Sequence, residues 1–512
     1  MSSTSVNNKR IAKNTLMLYG RTLFSMLISL ITSRVTLEAL GVNNYGINSA
    51  VAGVIAMFSV VSGSLSGSIS RFITFELGRK DFDKLRRIFS TSINIQLVIG
   101  VFILLLGETL GVWFLNNQMN IPDGRMVAAN WVLQCAMISF FIGLTQTPYT
   151  ACIIGHEKMS VFAWFSIVES IFRLGIVYLL YISPYDKLIT LSVLGLCVSI
   201  CMRFAQRIYC SRTFSECSYS FIIDKGLLRE MTGFAGWTFL TNTAWIFNTQ
   251  GINLLINIFF GVAFNAARGL ATSIEGMIVK FCNDFTTALR PQITKSYAAG
   301  EIDDMNKLIC RGARFSYYLL FIMSLPLMFE AHAVIYLWLG QVPDYTVTFF
   351  RLTVILALMQ HLGGTGYTGC MATGRIKWYT IIITTVGCFV FPLTWIAFKL
   401  GAPVESTYYI SIVIYAILNI IRLYIMRHLW GFPISMFFTK VILPVVKVTV
   451  LSLILPTILY LCLDHGIIKA LIVMSTSILS GILITFIFGL SVSERSMILN
   501  KSKDILNRFT KK

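Results

Sequence analysis

Nine ionisable side chains fall inside long apolar runs of this sequence. They are the cations Arg21, Arg173, Arg268 and Lys280 and the acids Glu108, Glu169, Glu275, Asp284 and Glu330, the last in a less central position. A charge at the centre of a bilayer costs about 2.5–3.5 kcal/mol on insertion scales, so such groups face a cavity or a partner. Spacing sorts them. Glu169 and Arg173 are four residues apart, as are Lys280 and Asp284, so each pair can share a helix face and neutralise itself. Arg268 and Glu275 share a face two turns apart. Arg21 has no acid at helical spacing in its own run, and either meets an anionic ligand or snorkels to the interface.

The chemistry within reach is anion recognition. A guanidinium gives bidentate bonds to phosphate oxygens. Arg21 and Arg173 in the first half of the chain, with Arg268 and Lys280 in the second, form a set able to hold a pyrophosphate. Glu169, Glu275 and Asp284 are candidates for coupling to H+ or Na+. Asn242, Thr249, Asn253 and Asn257 lie close to one face of a single run. Asn242 and Asn253 either line a sugar-accepting cavity or glue helices together. Trp237 and Trp245 either stack on sugars or pack.

Other chemistries find no support. The eleven cysteines form no CxxC pair, so neither a disulfide framework nor a zinc site is indicated, and no cofactor is expected. Gly364-Thr365-Gly366-Tyr367-Thr368-Gly369 spells GxGxxG, but that fingerprint works only at the strand-to-helix turn of a βαβ unit. Here it lies in an apolar run and predicts a flexible or closely packed helix, with a bend near His361. Gly63 and Gly67 form GxxxG in the second run, which predicts close helix contact rather than a ligand site. The lack of a Walker motif argues against direct use of ATP.

These residues need helices to position them. The chain has 512 residues, 56% hydrophobic and only 13% charged, with a mean hydropathy of +0.74. That is about half the usual charged share. Backbone groups in lipid must bond internally, and alternating ten-residue segments are absent, so the spans are helices rather than a barrel. An all-α polytopic membrane protein with about 14 helices follows. The first six predicted spans are 15–37, 47–71, 88–115, 126–154, 160–182 and 188–209. The next six are 230–259, 266–290, 315–338, 347–372, 378–399 and 406–427, followed by 441–463 and 467–490. The first span carries Arg21 and Arg34 and lacks a cleavage site, so it reads as retained rather than as a signal peptide.

Most of the 42 Lys and Arg residues fall on one side if both termini are cytoplasmic; Arg34, Arg125, Lys187, Arg351, Lys399 and Lys469 fall on the other. The net charge of +19 is thereby explained by topology and anionic lipid, without nucleic acid as a partner.

Sliding the chain by 220 residues places Gly41-Val42 on Gly261-Val262, Met57 on Met277, Ile73-Thr74 on Ile293-Thr294 and Asp83 on Asp303. An even number of spans separates the copies, so the halves are parallel repeats, an architecture of transporters with the site between halves. The expected organisation is a cytoplasmic segment 1–14, a six-helix bundle 15–215, a second bundle 216–436, a helix pair 437–490 and a basic cytoplasmic tail 491–512. The bundles are expected to be related by a pseudo-two-fold axis along the membrane normal.

The N-terminal residues carry a resemblance. Tyr19-Gly20-Arg21, Arg34-Val35, the run Leu37 to Ile47, Ser70-Arg71-Phe72-Ile73 before Glu76-Leu77-Gly78, and Trp113-Phe114-Leu115 followed by Ile121-Pro122 resemble the polysaccharide-biosynthesis exporters. These are the O-antigen and lipid-linked oligosaccharide flippases of the multidrug/oligosaccharidyl-lipid/polysaccharide superfamily. The resemblance is specific over roughly the first 160 residues and beyond them rests on span count and repeat layout. It implies two bundles around a cavity, alternating access, and an undecaprenyl-pyrophosphate-linked glycan carried to the outer leaflet of the bacterial cytoplasmic (inner) membrane. Rival expectations are a drug/cation antiporter of the same superfamily and a peptidoglycan-precursor flippase, the latter suggested by the two extra spans. A membrane glycan polymerase would need a large outer loop, which the spacing of the spans does not allow. No enzymatic activity is expected.

Overall fold

A computed structural model describes residues 3–117, 121, 124–221, 224–339, 342–464, 466–496 and 499. Most of the expected basic tail, with Pro122 of the resemblance, lies outside the described residues. Among those described there is no strand. The helices are α1 (Ser3–Arg79), α2 (Phe82–Leu106), α3 (Val112–Asn117), α4 (Met126–Gly155), α5 (Met159–Leu179) and α6 (Lys187–Thr213). Then come α7 (Lys225–Phe260), α8 (Val262–Ala298), α9 (Ile302–Phe329), α10 (Ala331–Leu339), α11 (Thr346–Leu362) and α12 (Gly364–Thr373). Finally there are α13 (Lys377–Cys388), α14 (Val390–Lys399), α15 (Ser406–Trp430), α16 (Ile434–Phe437), α17 (Leu443–Cys462) and α18 (Ile467–Ile484). The polar residues before the first span are helical from Ser3 onward and continuous with it.

Among the described residues, eleven helical stretches are long and apolar enough to cross a membrane. The three predicted spans outside that set are the part of α1 after Gly41, α7 and α8. In α7 and α8 the reason is compositional: they carry the asparagine ladder, Arg268, Glu275, Lys280 and Asp284. At the other extreme, α17 and α18 present Val446, Val450, Ile454, Leu471, Leu479 and Leu483 outward, as lipid solvation requires.

Two features of the backbone repeat in register. Gly41 (φ 74°) kinks α1, and Gly261 (φ 94°) separates α7 from α8. Lys80 (φ 60°) and Gly300 (φ 78°) end α1 and α8, and the next helices begin at Phe82 and Ile302. Similarly, α4 and α11 begin at Met126 and Thr346. A left-handed residue costs an L side chain about 1–2 kcal/mol, so glycine at both helix breaks is the signature of one backbone plan used twice.

The chain packs as two compact units, neither continuous in sequence. The first comprises Met1–Ala244, Thr287–Ile302 and Met371–Thr380; the second comprises Trp245–Thr286, Asp303–Cys370 and Ile381–Lys512. The first unit is built on Ile69, Phe72, Ile73, Leu85, Ile88, Phe89, Cys152 and Cys210, with Phe89 edge-on to Tyr149. A second cluster there joins Val51, Leu115, Val132, Leu133 and Leu180. The side chain of Glu157, itself left-handed at φ 58°, accepts from Lys295 Nζ at 2.9 Å and Gln292 Nε2 at 3.2 Å. The Glu157–Lys295 pair, together with Arg71 donating to the Ala372 carbonyl, ties the two later segments to the α4–α5 turn and to α1. In the second unit α9 is central. Its Arg314 donates to both Glu494 oxygens at 2.7 Å, and its Tyr317 hydroxyl meets Thr449, fastening the α17–α18 hairpin to the rest.

Loop chemistry fixes the entry to α6. Asp186 accepts from the Leu188 and Ile189 amides at 3.0 and 3.2 Å and pairs with Arg125 Nη1 at 2.5 Å. The Arg125 hydrogen bond is the main reason its carboxyl titrates below the ordinary aspartate value. A carboxyl lowered by folding stabilises the native state above its unfolded pKa, and that contribution is lost as pH falls through the folded one. Wild-type unfolding temperature should therefore drop more steeply than that of Asp186→Asn below about pH 4, the ordinary aspartate range. Gly261→Ala should destabilise the protein by about 1–2 kcal/mol in reversible unfolding, the strain of a left-handed alanine. An unchanged unfolding midpoint would remove the left-handed requirement.

Candidate functional site: a polar cavity in each unit

Polar side chains at helical spacing converge on two cavities. In the second unit, α7 contributes Trp245, Thr249 and Asn253, each one turn from the next, with Asn248 beside them. The α8 helix adds Asn265, Arg268, Thr272 and Glu275 at intervals of three and four; α15 adds Tyr408, Ser411 and Tyr415, and α11 adds Thr353 and Gln360. Intervals of three and four keep side chains on one helix face, which explains why these four elements enclose a polar space of about 540 Å³. That volume falls within the usual range for small-ligand pockets, about 300–1,000 Å³.

Arg268 is the principal charge there. Its guanidinium donates to Asn253 Oδ1, and the Tyr408 phenol lies beside it. Asn253 is held in turn, its carbonyl accepting from Asn265 Nδ2 at 2.8 Å. Among the described residues Arg268 makes no ion pair, and Glu275, lining the same space, has no hydrogen-bond partner. Two amide oxygens of the lining, Asn248 Oδ1 and Asn265 Oδ1, are buried with no partner among the described residues, while the Tyr408 phenol lies between Arg268 and Thr353. Buried polar atoms are normally satisfied, so two unpartnered amide oxygens in one cavity lining suit a polar occupant.

The first unit's cavity, about 650 Å³, is lined by Thr32, Thr36, Asn48, Ser139, Gln146, Ser192 and Ser199 together with Glu169 and Arg173. Here the expected intrahelical pair forms: Arg173 Nε and Nη2 both donate to Glu169 Oε1, at 3.1 and 2.8 Å. The charge of Arg173 is thus offset by a carboxylate four residues away.

Other candidates from the sequence sit elsewhere. Arg21 lies 4.9 Å from the Phe162 ring centre and donates to Thr22 Oγ1. It lines neither cavity. Asn242 donates to Ser64 Oγ at 2.9 Å between α7 and α1, the helix-gluing arrangement. Lys280 is exposed and makes no ion pair with Asp284 among the described residues, while Asp284 is 7% exposed. The spacing permits a Lys280–Asp284 pair, but the two side chains differ in burial and the pair does not form. Trp237 packs under Lys377. Conversely, spacing did not single out Tyr408, Tyr415, Asn265 or Gln360. Their three-and-four spacing in α15 and α8 was a legible signal, masked because neutral polar residues are common in spans. Arg203, inside the predicted span 188–209, lies 4.3 Å from the Tyr149 ring centre and donates to Thr145.

Comparison with known proteins fits this architecture. Residues 11–297 match the family described as polysaccharide biosynthesis protein. The uncharacterized membrane protein EpsK of Bacillus subtilis (strain 168) is 18% identical over 323 residues, 62% of this chain and 63% of that protein's length. The crystal structure of MATE in the straight conformation superposes with a TM-score of 0.71 at 11% identity, covering 82% of this chain and 96% of that one. An outward-facing multidrug resistance MATE family transporter of the MOP superfamily gives a TM-score of 0.69 at 11% identity, over 82% and 95% of the two chains. A MOP superfamily transporter from Pyrococcus furiosus, described as having a binding pocket of reverse polarity, gives 0.68 at 11% identity, over 82% and 95%. These likenesses establish the fold. The chain is a multi-pass membrane protein of the polysaccharide biosynthesis protein family, with the fold of MATE and other MOP-superfamily transporters.

Proposed function

We propose that this protein is a flippase that carries undecaprenyl-pyrophosphate-linked oligosaccharide from the cytoplasmic to the outer leaflet by alternating access. Its place in this reading is the bacterial cytoplasmic membrane, with both termini on the cytoplasmic side. One observation carries the proposal: Arg268 stands in a polar cavity with no carboxylate partner among the described residues, and the lining includes the unpartnered amide oxygens of Asn248 and Asn265. A guanidinium so placed is available to phosphate oxygens, and unsatisfied amide oxygens suit sugar hydroxyls. Trp245 at the cavity edge offers an aromatic face. Arg173 is less available, because Glu169 already occupies it. No step requires bond-making by the protein, which accords with a non-enzymatic role. A peptidoglycan-precursor flippase would use the same geometry, and the lipid that accumulates in a null strain separates the two.

Glu275 favours a second element. A carboxylate in this cavity without a partner among the described residues is where a coupling H+ or Na+ would bind. It is also the group on which a drug/cation antiporter would rely.

The test is complementation of a deletion strain, with glycan-loaded carrier lipid measured in the cytoplasmic leaflet. Arg268→Ala should reduce export about 10- to 100-fold, the loss of a charge-assisted hydrogen bond of about 1.5–3 kcal/mol, with Arg268→Lys in between. Arg21→Ala, whose side chain lies over Phe162, should cost less. Full export by Arg268→Ala defeats the pyrophosphate reading. Intact glycan export with loss of cationic-dye efflux in Glu275→Gln would favour the antiporter.

A further inference from the structure

The glycine-rich run after His361 finds a physical explanation that no nucleotide motif supplies. Helix α11 ends at Leu362 and α12 begins at Gly364. The Gly363 amide bonds to Gln360 O at 3.2 Å instead of reaching back to Met359 O, as a continuous α-helix would require. The carbonyl of Met359 is taken instead by Asn419 Nδ2 of α15, at 2.8 Å. Asn419 Oδ1 accepts in turn from Arg422 Nη1 at 2.9 Å. The guanidinium occupies the space where a side chain at position 363 would start: a Cβ there would overlap Arg422 Nη1 and Asn419 Oδ1. At Gly366 a Cβ would meet Met426 Sδ at 3.0 Å and Arg422 Cδ at 3.3 Å.

This wedge adjoins the cavity. Tyr408, Ser411, Tyr415, Asn419 and Arg422 follow one another at intervals of three and four along α15, so one helix face serves first the cavity and then the break. Gln360, the α11 residue at the cavity nearest the break, lies between Met359, whose carbonyl Asn419 holds, and the interrupted turn.

We propose that Arg422 is a positioning residue for the cavity of the second unit: with Asn419 it holds the α11–α12 break in place, so that the Gln360 amide is presented to the ligand. The proposal rests on that cavity being the binding site. A lysine cannot substitute, because a flat guanidinium fills the glycine gap and a flexible ammonium does not. Gly363 is needed for the same reason.

The experiment places a single cysteine at position 360 in the full-length protein with its eleven native cysteines replaced. A second protein carries the cysteine at Thr249, in the same cavity on α7, as a control. Labelling by a hydrophilic maleimide in membrane vesicles reads presentation to the cavity whether or not transport occurs. Arg422→Ala should lower labelling at position 360 about tenfold, with labelling at 249 unchanged; Arg422→Lys should not restore it. Gly363→Ala should reproduce the loss in the wild-type background and add nothing to Arg422→Ala, because both vacate the same contact. If Arg422→Ala fails to accumulate, Gly363→Ala alone decides. Unchanged labelling at 360 in the folded variants overturns the proposal, as does an equal loss at both positions. Failure of the flippase reading would appear differently: labelling would follow the expected pattern while export remained at wild-type level in Arg268→Ala and Arg422→Ala.

Discussion

A polar group in a membrane must find its partner inside the protein, and the second unit is organised by that requirement. A carbonyl freed by a broken helix, a guanidinium or a carboxylate cannot turn to bulk water at this depth. Where the chain supplies a partner the result is structural. Asn419 answers Met359 and Glu494 answers Arg314, as Glu169 answers Arg173 in the first unit. At the second unit's cavity, Arg268 and Glu275 have no such ionic partner among the described residues.

That contrast separates groups that composition alone treats alike. Arg173 and Arg268 are both cations within a span, yet one is neutralised four residues away along its own helix. The other donates to a neutral amide and makes no ion pair among the described residues. The helices carrying these polar residues are also the ones whose composition departs from an ordinary span. The polarity of α7 and α8 accompanies a cavity between helices, whereas α17 and α18 are strongly apolar and exposed outward, and α9, less apolar than they are, is the more deeply buried.

Glycine does related work by geometry. At Gly41 and Gly261 it permits a left-handed turn between two long helices, and the recurrence of that turn in register links the two halves of the chain more firmly than their few identities do. At Gly363 it instead leaves room for a charged side chain from a neighbouring helix. The sequence marks all three simply as glycine; only the packing around each tells the roles apart.

Hydropathy by itself determined the helical class, the approximate boundaries of the spans and the polypeptide's residence in the membrane, because each residue's transfer energy is a local quantity. The 220-residue register, and with it the equivalence of Gly41 and Gly261, was also legible, since a duplicated backbone leaves its turn residues at fixed spacing. The pairing of Glu169 with Arg173 was foreseeable for the same local reason. Tertiary structure alone decided that Arg21 stacks on Phe162, that Asn242 serves Ser64, and that Tyr408, Asn265 and Gln360 join Arg268 around one cavity. Those outcomes depend on which helix faces meet across hundreds of residues, and no window along the chain contains that information.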